Sequence, residues 1–128
     1  MSEIVYRVQD EQGRGPYKPG FSQEWVEDRP DLDNLRPYYA EMPGVLSKRS
    51  RFEASHVGCA CKTIEQLERW ITKSEYLTLR RYGYQAMRLV VDRILGESET
   101  QCIFERERGS CHQDPSQFDM PIKFHGEY

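Results

Sequence analysis

The chain has no apolar run near the ~20 residues that a helix needs to span a bilayer. Its opening residues, MSEIVYRVQDEQ, lack the basic and apolar segments of a secretory signal peptide. Its four cysteines are therefore expected in a reducing compartment, where thiols stay free. We predict a soluble cytoplasmic protein without a membrane segment.

The sequence also lacks a large excess of either sign of charge. The chain has 21 acidic and 18 basic residues, which leaves a formal net charge of -3. The two signs are interleaved, and the longest basic block is KRSR at residues 48–51. Binding to a phosphate backbone needs a concentrated basic surface. The sequence therefore predicts no direct nucleic-acid binding.

The spacing of cysteine and histidine does not match a structural zinc site. His56, Cys59 and Cys61 lie close together, but Cys102 and Cys111 follow far along the chain without forming a second matching pair. Structural zinc sites normally use two closely spaced pairs. No local motif marks a cysteine as an activated nucleophile either. We predict no metal site, with Cys59 and Cys61 as core residues on one face of a strand.

The glycine-rich segment GRGP at residues 13–16 also lacks a nucleotide-binding pattern. It has neither the Gly-x-Gly-x-x-Gly spacing of dinucleotide folds nor the Gly-Lys-Ser/Thr ending of a P-loop. Paired acids such as Glu97-Ser98-Glu99 are expected in a chain with this many carboxylates, and a solvated turn is their ordinary setting.

Two consecutive helix starts are the clearest local signals in the chain. Thr63 and Gln66 have the spacing of a capping box, and so do Thr72 and Glu75. Apolar residues at helical spacing follow the first box, and Gly83 is placed to end the second helix. The sequence therefore predicts a helix pair over about 63–82.

Short alternating apolar runs predict strands around this helix pair. At 128 residues the chain is predicted to form one compact α+β domain, 1–128, with a mainly antiparallel sheet. The other predicted elements begin with a strand at 4–8 and a long irregular loop over 10–50, which holds a short helix at 22–26 capped by Ser22. Strands follow at 57–61 and 100–105, and a turn-rich tail from 106 includes an edge strand at 122–124. Residues 84–95 fit a helix as well as a strand, and we favour a strand at 84–91 followed by one turn at 92–95.

The aromatic residues of the N-terminal third allow two interpretations. Tyr6, Tyr17, Trp25, Tyr38 and Tyr39 would form either a stacking wall for a planar ligand or a protein-binding hot spot. Alternatively, they pin the long loop onto the sheet. The sequence leaves both open.

Several pieces together resemble the start of compact ADP-ribosyltransferase-like domains. Arg7 on a first strand is followed by a glycine-rich turn, and a later strand near Ser55 and His56 runs into the helix beginning TIEQL at 63–67. The triplet Glu97-Ser98-Glu99 before a last strand is similar to the Glu-x-Glu form of that family. No Ser-Thr-Ser triplet is present.

The resemblance implies NAD as substrate, with no cofactor required for the structure. Arg7 would hold the diphosphate or ribose, and Glu99 would stabilise an oxocarbenium-like transition state after nicotinamide leaves. If Gln101 occupies the place of that Glu, the fold is kept and the activity is lost. The residues implied to bind NAD are Arg7, Tyr17, Ser55 and His56, and those implied to act on the ribose are Glu97, Glu99 and Gln101.

The chain also resembles small phage and prophage proteins, in stretches such as YRVQDEQGRGPY, LERW and ESETQCIFER. This resemblance implies an alternative function: an interaction protein, anti-CRISPR-like, that inhibits a host defence system by binding a protein surface without catalysis. Acidic residues of the long loop would then steer the chain toward a basic surface of the partner. These residues are Glu24, Glu27, Asp28, Asp31 and Asp33.

Overall fold

The computed structural model describes residues 3–17, 20–27, 55–107 and 119–126. Within these ranges the protein is an α+β structure with two antiparallel sheets and three helices. Its elements in chain order are β1 (Glu3–Gln9), α1 (Ser22–Trp25), β2 (Ser55–Ala60), α2 (Ile64–Trp70), α3 (Lys73–Arg81), β3 (Gln85–Val91), β4 (Arg93–Glu97), β5 (Cys102–Glu107) and β6 (Asp119–Pro121).

The two sheets have the strand orders β1-β3-β6 and β2-β5-β4. In the first sheet Tyr6 lies opposite Arg88, and in the second Gly58 lies opposite Phe104. One isolated bridge joins the sheets: Tyr6 and Cys61 exchange backbone hydrogen bonds of 2.7 and 2.8 Å. The chain therefore crosses from the second sheet to the first where β2 ends.

Alternation along β1 builds a layered core, because successive side chains of a strand point to opposite faces. One face carries Val8 into a cluster with the helices, and the other carries Val5 into a cluster with the second sheet. The helix-side cluster contains Val8, Trp25, Cys61, Leu67, Ile71, Tyr76, Leu79, Tyr84, Ala86 and Phe124. The cluster between the sheets contains Val5, Ala60, Leu89, Val91, Cys102 and Phe104.

The predicted helix pair is confirmed, together with the side chains that start it. The Thr63 hydroxyl accepts a hydrogen bond from the Gln66 amide, while the Gln66 side chain accepts one from the amide of Lys62. The second capping box is complete, since Thr72 and Glu75 each accept from the other's backbone amide. Gly83 follows with a φ of 88°, the left-handed conformation that glycine adopts without strain.

Aromatic side chains fix the described part of the N-terminal loop to the helices. The ring of Tyr17 lies 4.9 Å from that of Trp25 and 6.0 Å from that of Trp70, both edge-on. The Tyr17 hydroxyl donates to the Trp70 carbonyl at 3.2 Å, and the Trp25 indole donates to the Pro16 carbonyl at 3.2 Å. These two aromatics therefore pin the loop, as one of the two interpretations held. Tyr38 and Tyr39 lie outside the described residues.

A buried carboxylate continues this attachment at the start of α3. Glu75 is fully buried, and its two oxygens accept hydrogen bonds from the backbone amides of Thr72 and Glu27, each at 2.8 Å. The Glu27 carboxylate in turn accepts from the hydroxyl of Ser74 at 2.6 Å. The helix start and the incoming loop therefore share one set of hydrogen bonds.

Three local predictions are wrong. Residues 93–97 form strand β4, where one turn was predicted at 92–95, because they pair with β5, with a register shift between Ile94 and Gly96. The last strand is β6, three residues before the predicted 122–124, because residues 119–121 pair with β3. The N-cap of α1 is Phe21, with no side-chain cap hydrogen bond, so that Ser22 begins the helix instead of capping it.

The prediction that Cys59 and Cys61 share a buried face is also wrong for Cys59, which is exposed. The reason is the change of partner at the end of β2. Cys61 pairs with Tyr6 of the first sheet and enters the helix-side core, whereas Cys59 still pairs with Ile103 inside the second sheet. Across the described ranges, no helix is long and apolar enough to cross a membrane.

Candidate functional site

A buried polar cluster lies beside the apolar layer between the two sheets. Val5 of β1 packs in the apolar part, with Phe104 of β5, while Arg7 and Gln9 share the face of Val5 by the alternation of the strand. The Arg7 guanidinium carbon lies 5.4 Å from the centre of the Phe104 ring, a cation–π distance. The seam between the sheets is thus apolar at one end and charged at the other.

Two glycines flank the guanidinium of Arg7. A Cβ atom added to Gly15 would lie 2.6 Å from Nη2, and one added to Gly58 would lie 2.7 Å from Nη1. Real Cβ atoms essentially never approach so closely. Arg7 therefore occupies a slot that exists because both positions lack a side chain.

Arg106 and Asp119 form a buried ion pair in the same cluster. Arg106 donates to both Asp119 oxygens, through Nη2 at 2.9 Å and Nη1 at 3.4 Å, and Gln9 donates to Oδ2 at 3.3 Å. Arg106 is 9% exposed and Asp119 7%. A bidentate pair of this kind compensates for the removal of both charges from water.

The cluster holds more donors than its acceptors can use. The Nε atoms of Arg7 and Arg106 are buried and make no hydrogen bond. Burial lowers the pKa of Arg7, and the charge of Arg106 lowers it further, while Cys59, Asp119 and Asp10 oppose the shift. A buried donor without an acceptor costs about 1–3 kcal/mol, so the arrangement is suited to an anionic ligand.

The free thiols beside the cluster differ in accessibility. Cys59 is exposed, and burial of part of its thiol raises its pKa, which the charge of Arg7 partly offsets. Cys61 and Cys102 are buried free thiols. Burial raises the pKa of Cys61 well above its usual range and that of Cys102 to about 12. Of these three, Cys59 alone is placed to react from the surface. Cys111 lies outside the described residues.

The predicted ribose-acting residues lie at the end of β4 and in the turn that joins it to β5. Glu97 and Glu99 are exposed, and Glu97 forms an ion pair with Lys62 at 3.6 Å. The Glu99 carbonyl accepts from the Gln66 side chain at 3.0 Å. Gln101 is 5% exposed, and its backbone amide donates a hydrogen bond to the Ser98 hydroxyl at 3.2 Å. This turn is therefore anchored to the start of α2.

Arg7 and this turn occupy different parts of the seam. Gln101 precedes Phe104 by three residues, and a strand rises by ~3.4 Å per residue, so the turn begins up to about 10 Å along β5 from the ring beneath Arg7. No hydrogen bond or ion pair joins Arg7 to Glu97, Glu99 or Gln101 in the part of the chain that the structure describes.

The remaining predicted NAD-binding residues are Tyr17, in the N-terminal loop, and Ser55 and His56, in β2. Tyr17 contacts Trp25 and Trp70, as described above. Ser55 and His56 are the first two residues of β2. The assignment of NAD binding to Arg7, Tyr17, Ser55 and His56 stays a prediction.

Sequence reasoning found Arg7 but missed its surroundings. The missing members are Gly15, Gly58, Phe104, Arg106 and Asp119. One signal was available: Cys102, Phe104 and Arg106 alternate along β5, which places an arginine on the same face as two buried apolar residues. Within the described ranges, no group of three or more His, Cys, Asp or Glu side chains is placed to hold a metal ion.

Comparison with known proteins identifies one protein family. A family model described as Bacteriophage T4 Y00F protein matches residues 1–116, which is most of the chain. No curated protein and no solved structure matches. The resemblance to phage proteins is thereby confirmed, while nothing in these comparisons supports the one to ADP-ribosyltransferase-like domains. The chain belongs to the Bacteriophage T4 Y00F protein family.

Proposed function

We propose that this phage protein binds NAD or a related nucleotide at the seam between its two sheets. The observation that carries the proposal is Arg7, whose guanidinium lies over Phe104 and whose buried Nε donates no hydrogen bond to the described residues. A guanidinium offers five donors in a planar fork that matches phosphate geometry. Arg7 as a whole is half-buried, so part of the residue remains exposed.

The proposal extends to ADP-ribosyltransferase-like chemistry at the β4–β5 turn. A dinucleotide is an extended ligand, so its phosphates and its ribose can contact different parts of one seam. Glu99 is exposed on a turn that is held by the side chains of Gln66 and Ser98. Its carboxylate would stabilise positive charge on the ribose, whereas the amide of Gln101 carries no charge for this step.

Titration calorimetry with NAD, ADP-ribose and AMP tests the binding. We expect Arg7→Gln to weaken binding about tenfold or more, because a hydrogen bond to a charged group contributes about 1.5–3 kcal/mol. Arg88→Gln is the matched control, since Arg88 is also half-buried in the first sheet but contacts Met120. Absence of binding to the wild type, or equal effects of both substitutions, would overturn the proposal.

A transfer assay separates binding from catalysis in the same proteins. Transfer of label from tagged NAD to proteins of a bacterial lysate is expected to disappear in Glu99→Gln. It should persist in Glu65→Gln, where an exposed acid of α2 is changed instead. NAD binding without transfer or NAD hydrolysis in the wild type would mean that the activity has been lost and the site kept.

A second candidate function is binding to a host protein, with inhibition of a defence system as its outcome. The observation in its favour is that the aromatic contacts of Trp25 fix α1 to the body while Glu24 on the same helix stays exposed. An ordered acidic surface of this kind steers a chain toward a basic partner. Glu27 already contributes hydrogen bonds within the chain, and Asp28, Asp31 and Asp33 lie outside the described residues.

Charge reversal tests this second function. We expect Glu24→Lys to abolish salt-sensitive capture of a basic host protein, because steering by exposed charges is screened at high ionic strength. Glu65→Lys makes the same charge change on an exposed position of another helix and should leave capture intact. Capture that neither substitution nor added salt alters would exclude the acidic surface as its cause.

A further inference from the structure

We propose that Arg7 and Arg106 together form a subsite for a phosphoryl group, taken either from a nucleotide or as a free phosphate. This inference names the chemical group that the seam recognises, and it rests on the proposed function only for the identity of the larger ligand. Among the described residues, Arg106 forms an ion pair with Asp119, whereas the buried Nε of Arg7 makes no hydrogen bond. The subsite thus includes Arg106 and Asp119, which lie outside the predicted NAD-binding set.

The unused donors define what the subsite binds. Both terminal nitrogens of Arg106 donate hydrogen bonds to Asp119, whereas its buried Nε makes no hydrogen bond. Arg7 adds a second buried Nε without a partner. Donors without acceptors favour a ligand that supplies several acceptor oxygens, and a phosphoryl group supplies three or more.

The charge balance points the same way. Asp119 is the buried carboxylate that pairs with Arg106, and the charges of both act electrostatically on Arg7. Among the described residues, Arg7 itself forms no ion pair with a buried carboxylate. Asp10 also acts on Arg7 electrostatically, but its side chain accepts hydrogen bonds from two loop amides, those of Gln12 and Arg14. An anion entering the seam would supply the missing charge in a setting of low dielectric.

The slot around Arg7 limits the size of the ligand, because the backbone at Gly15 and Gly58 lies close to the guanidinium. Gly15 and Gly58 border the two terminal nitrogens of Arg7, and neither of these two positions places a side chain there. Phe104 closes the face of the guanidinium that it covers. A compact oxyanion at the remaining edge of the fork can therefore form two parallel hydrogen bonds.

Cys59 offers a built-in reporter for occupancy. It follows Gly58 directly, it is exposed, and its thiol interacts electrostatically with Arg7. An anionic alkylating reagent, iodoacetate, should be drawn to Cys59 by Arg7, whereas neutral iodoacetamide should not. The ratio of the two alkylation rates therefore reports the field of Arg7 and cancels differences in exposure and in thiol pKa.

The experiment measures both rates at each cysteine of the full chain by peptide mass spectrometry. We expect the iodoacetate-to-iodoacetamide ratio at Cys59 to fall about tenfold in Arg7→Gln and to stay unchanged in Arg88→Gln. Inorganic phosphate and pyrophosphate should lower the ratio in the wild type, beyond the effect of potassium chloride at equal ionic strength. Cys61 and Cys102 should stay unlabelled in every variant that remains folded.

The substitution Arg106→Lys tests whether Arg106 contributes to the phosphoryl subsite. It keeps a positive charge beside Asp119 but removes the planar fork, so phosphate should act only at higher concentration than in the wild type. If Arg106→Lys responds to phosphate as the wild type does, Arg106 is not part of the subsite and the inference falls.

The outcomes also separate this inference from the proposed function. Phosphate that alters Cys59 labelling while NAD neither binds nor alters it would support the subsite and reject the nucleotide. NAD that binds through Arg7 while phosphate and pyrophosphate leave Cys59 labelling unchanged would reject the subsite and keep the proposed function.

Discussion

Gly58→Ala is expected to lower the free energy of unfolding by about 1–3 kcal/mol and to displace Arg7 from its slot. The added Cβ would lie 2.7 Å from Arg7 Nη1 and 2.8 and 3.0 Å from two carbons of the Phe104 ring. Arg7 can swing away, but Phe104 is fully buried between the sheets and cannot. The strand must then shift, and urea denaturation measures the cost.

Gly15→Ala is the matched control for this prediction. Its Cβ would meet only the guanidinium of Arg7, at 2.6 Å from Nη2 and 3.7 Å from Cζ. The end of a flexible side chain moves cheaply, so we expect a smaller loss of stability than for Gly58→Ala but a similar loss of anion binding. Equal destabilisation by the two substitutions would show that the Phe104 contact does not set the cost.

Glu75→Gln is expected to cost about 3 kcal/mol of unfolding free energy, since it affects a buried group with two charge-assisted hydrogen bonds. The carboxylate accepts from the amides of Thr72 and Glu27 at 2.8 Å each. A glutamine side chain has one acceptor oxygen, so its NH₂ group would face one of these backbone donors. The substitution should therefore loosen both the start of α3 and the loop held at Glu27.

Glu65→Gln controls for the charge of Glu75 near a helix start. Glu65 also lies in the first turn of its helix, α2, but its side chain is exposed. Its loss removes a similar interaction with the helix dipole, about 0.3–1 kcal/mol. Thermal unfolding of both variants measures the difference. Similar melting temperatures would mean that the buried hydrogen bonds of Glu75 contribute little to stability.

The parts of the fold that the sequence predicted well are those determined by contacts between residues close together in sequence. The helix pair depends on residues three apart, such as Thr72 and Glu75, and these contacts form wherever the chain goes next. Residues 93–97 depend instead on pairing with β5. Ile94 and Leu95 suit a helix as well as a strand, and their local sequence does not contain the pairing that decides between them.

The same distinction explains how much of the candidate site could be predicted. Arg7 is visible as a charged residue in an apolar strand, and Glu99 as an acid in a turn. Gln9 and Asp119, by contrast, are joined by a hydrogen bond across 110 positions of sequence. No periodicity or composition indicates which arginine a distant aspartate will pair with, so the cluster becomes visible only through the fold.

The strand order also determines when during synthesis the cluster can exist. β1 is synthesised before its partner β3, which begins at Gln85, and β6 with Asp119 follows later than the other strands. Until β3 is made, β1 lacks the strand with which it pairs. Until β6 is made, Arg106 lacks its partner Asp119. Non-local pairings of this kind form slowly. The nascent protein therefore acquires its charged seam only after β6, the last of the described strands, has been made.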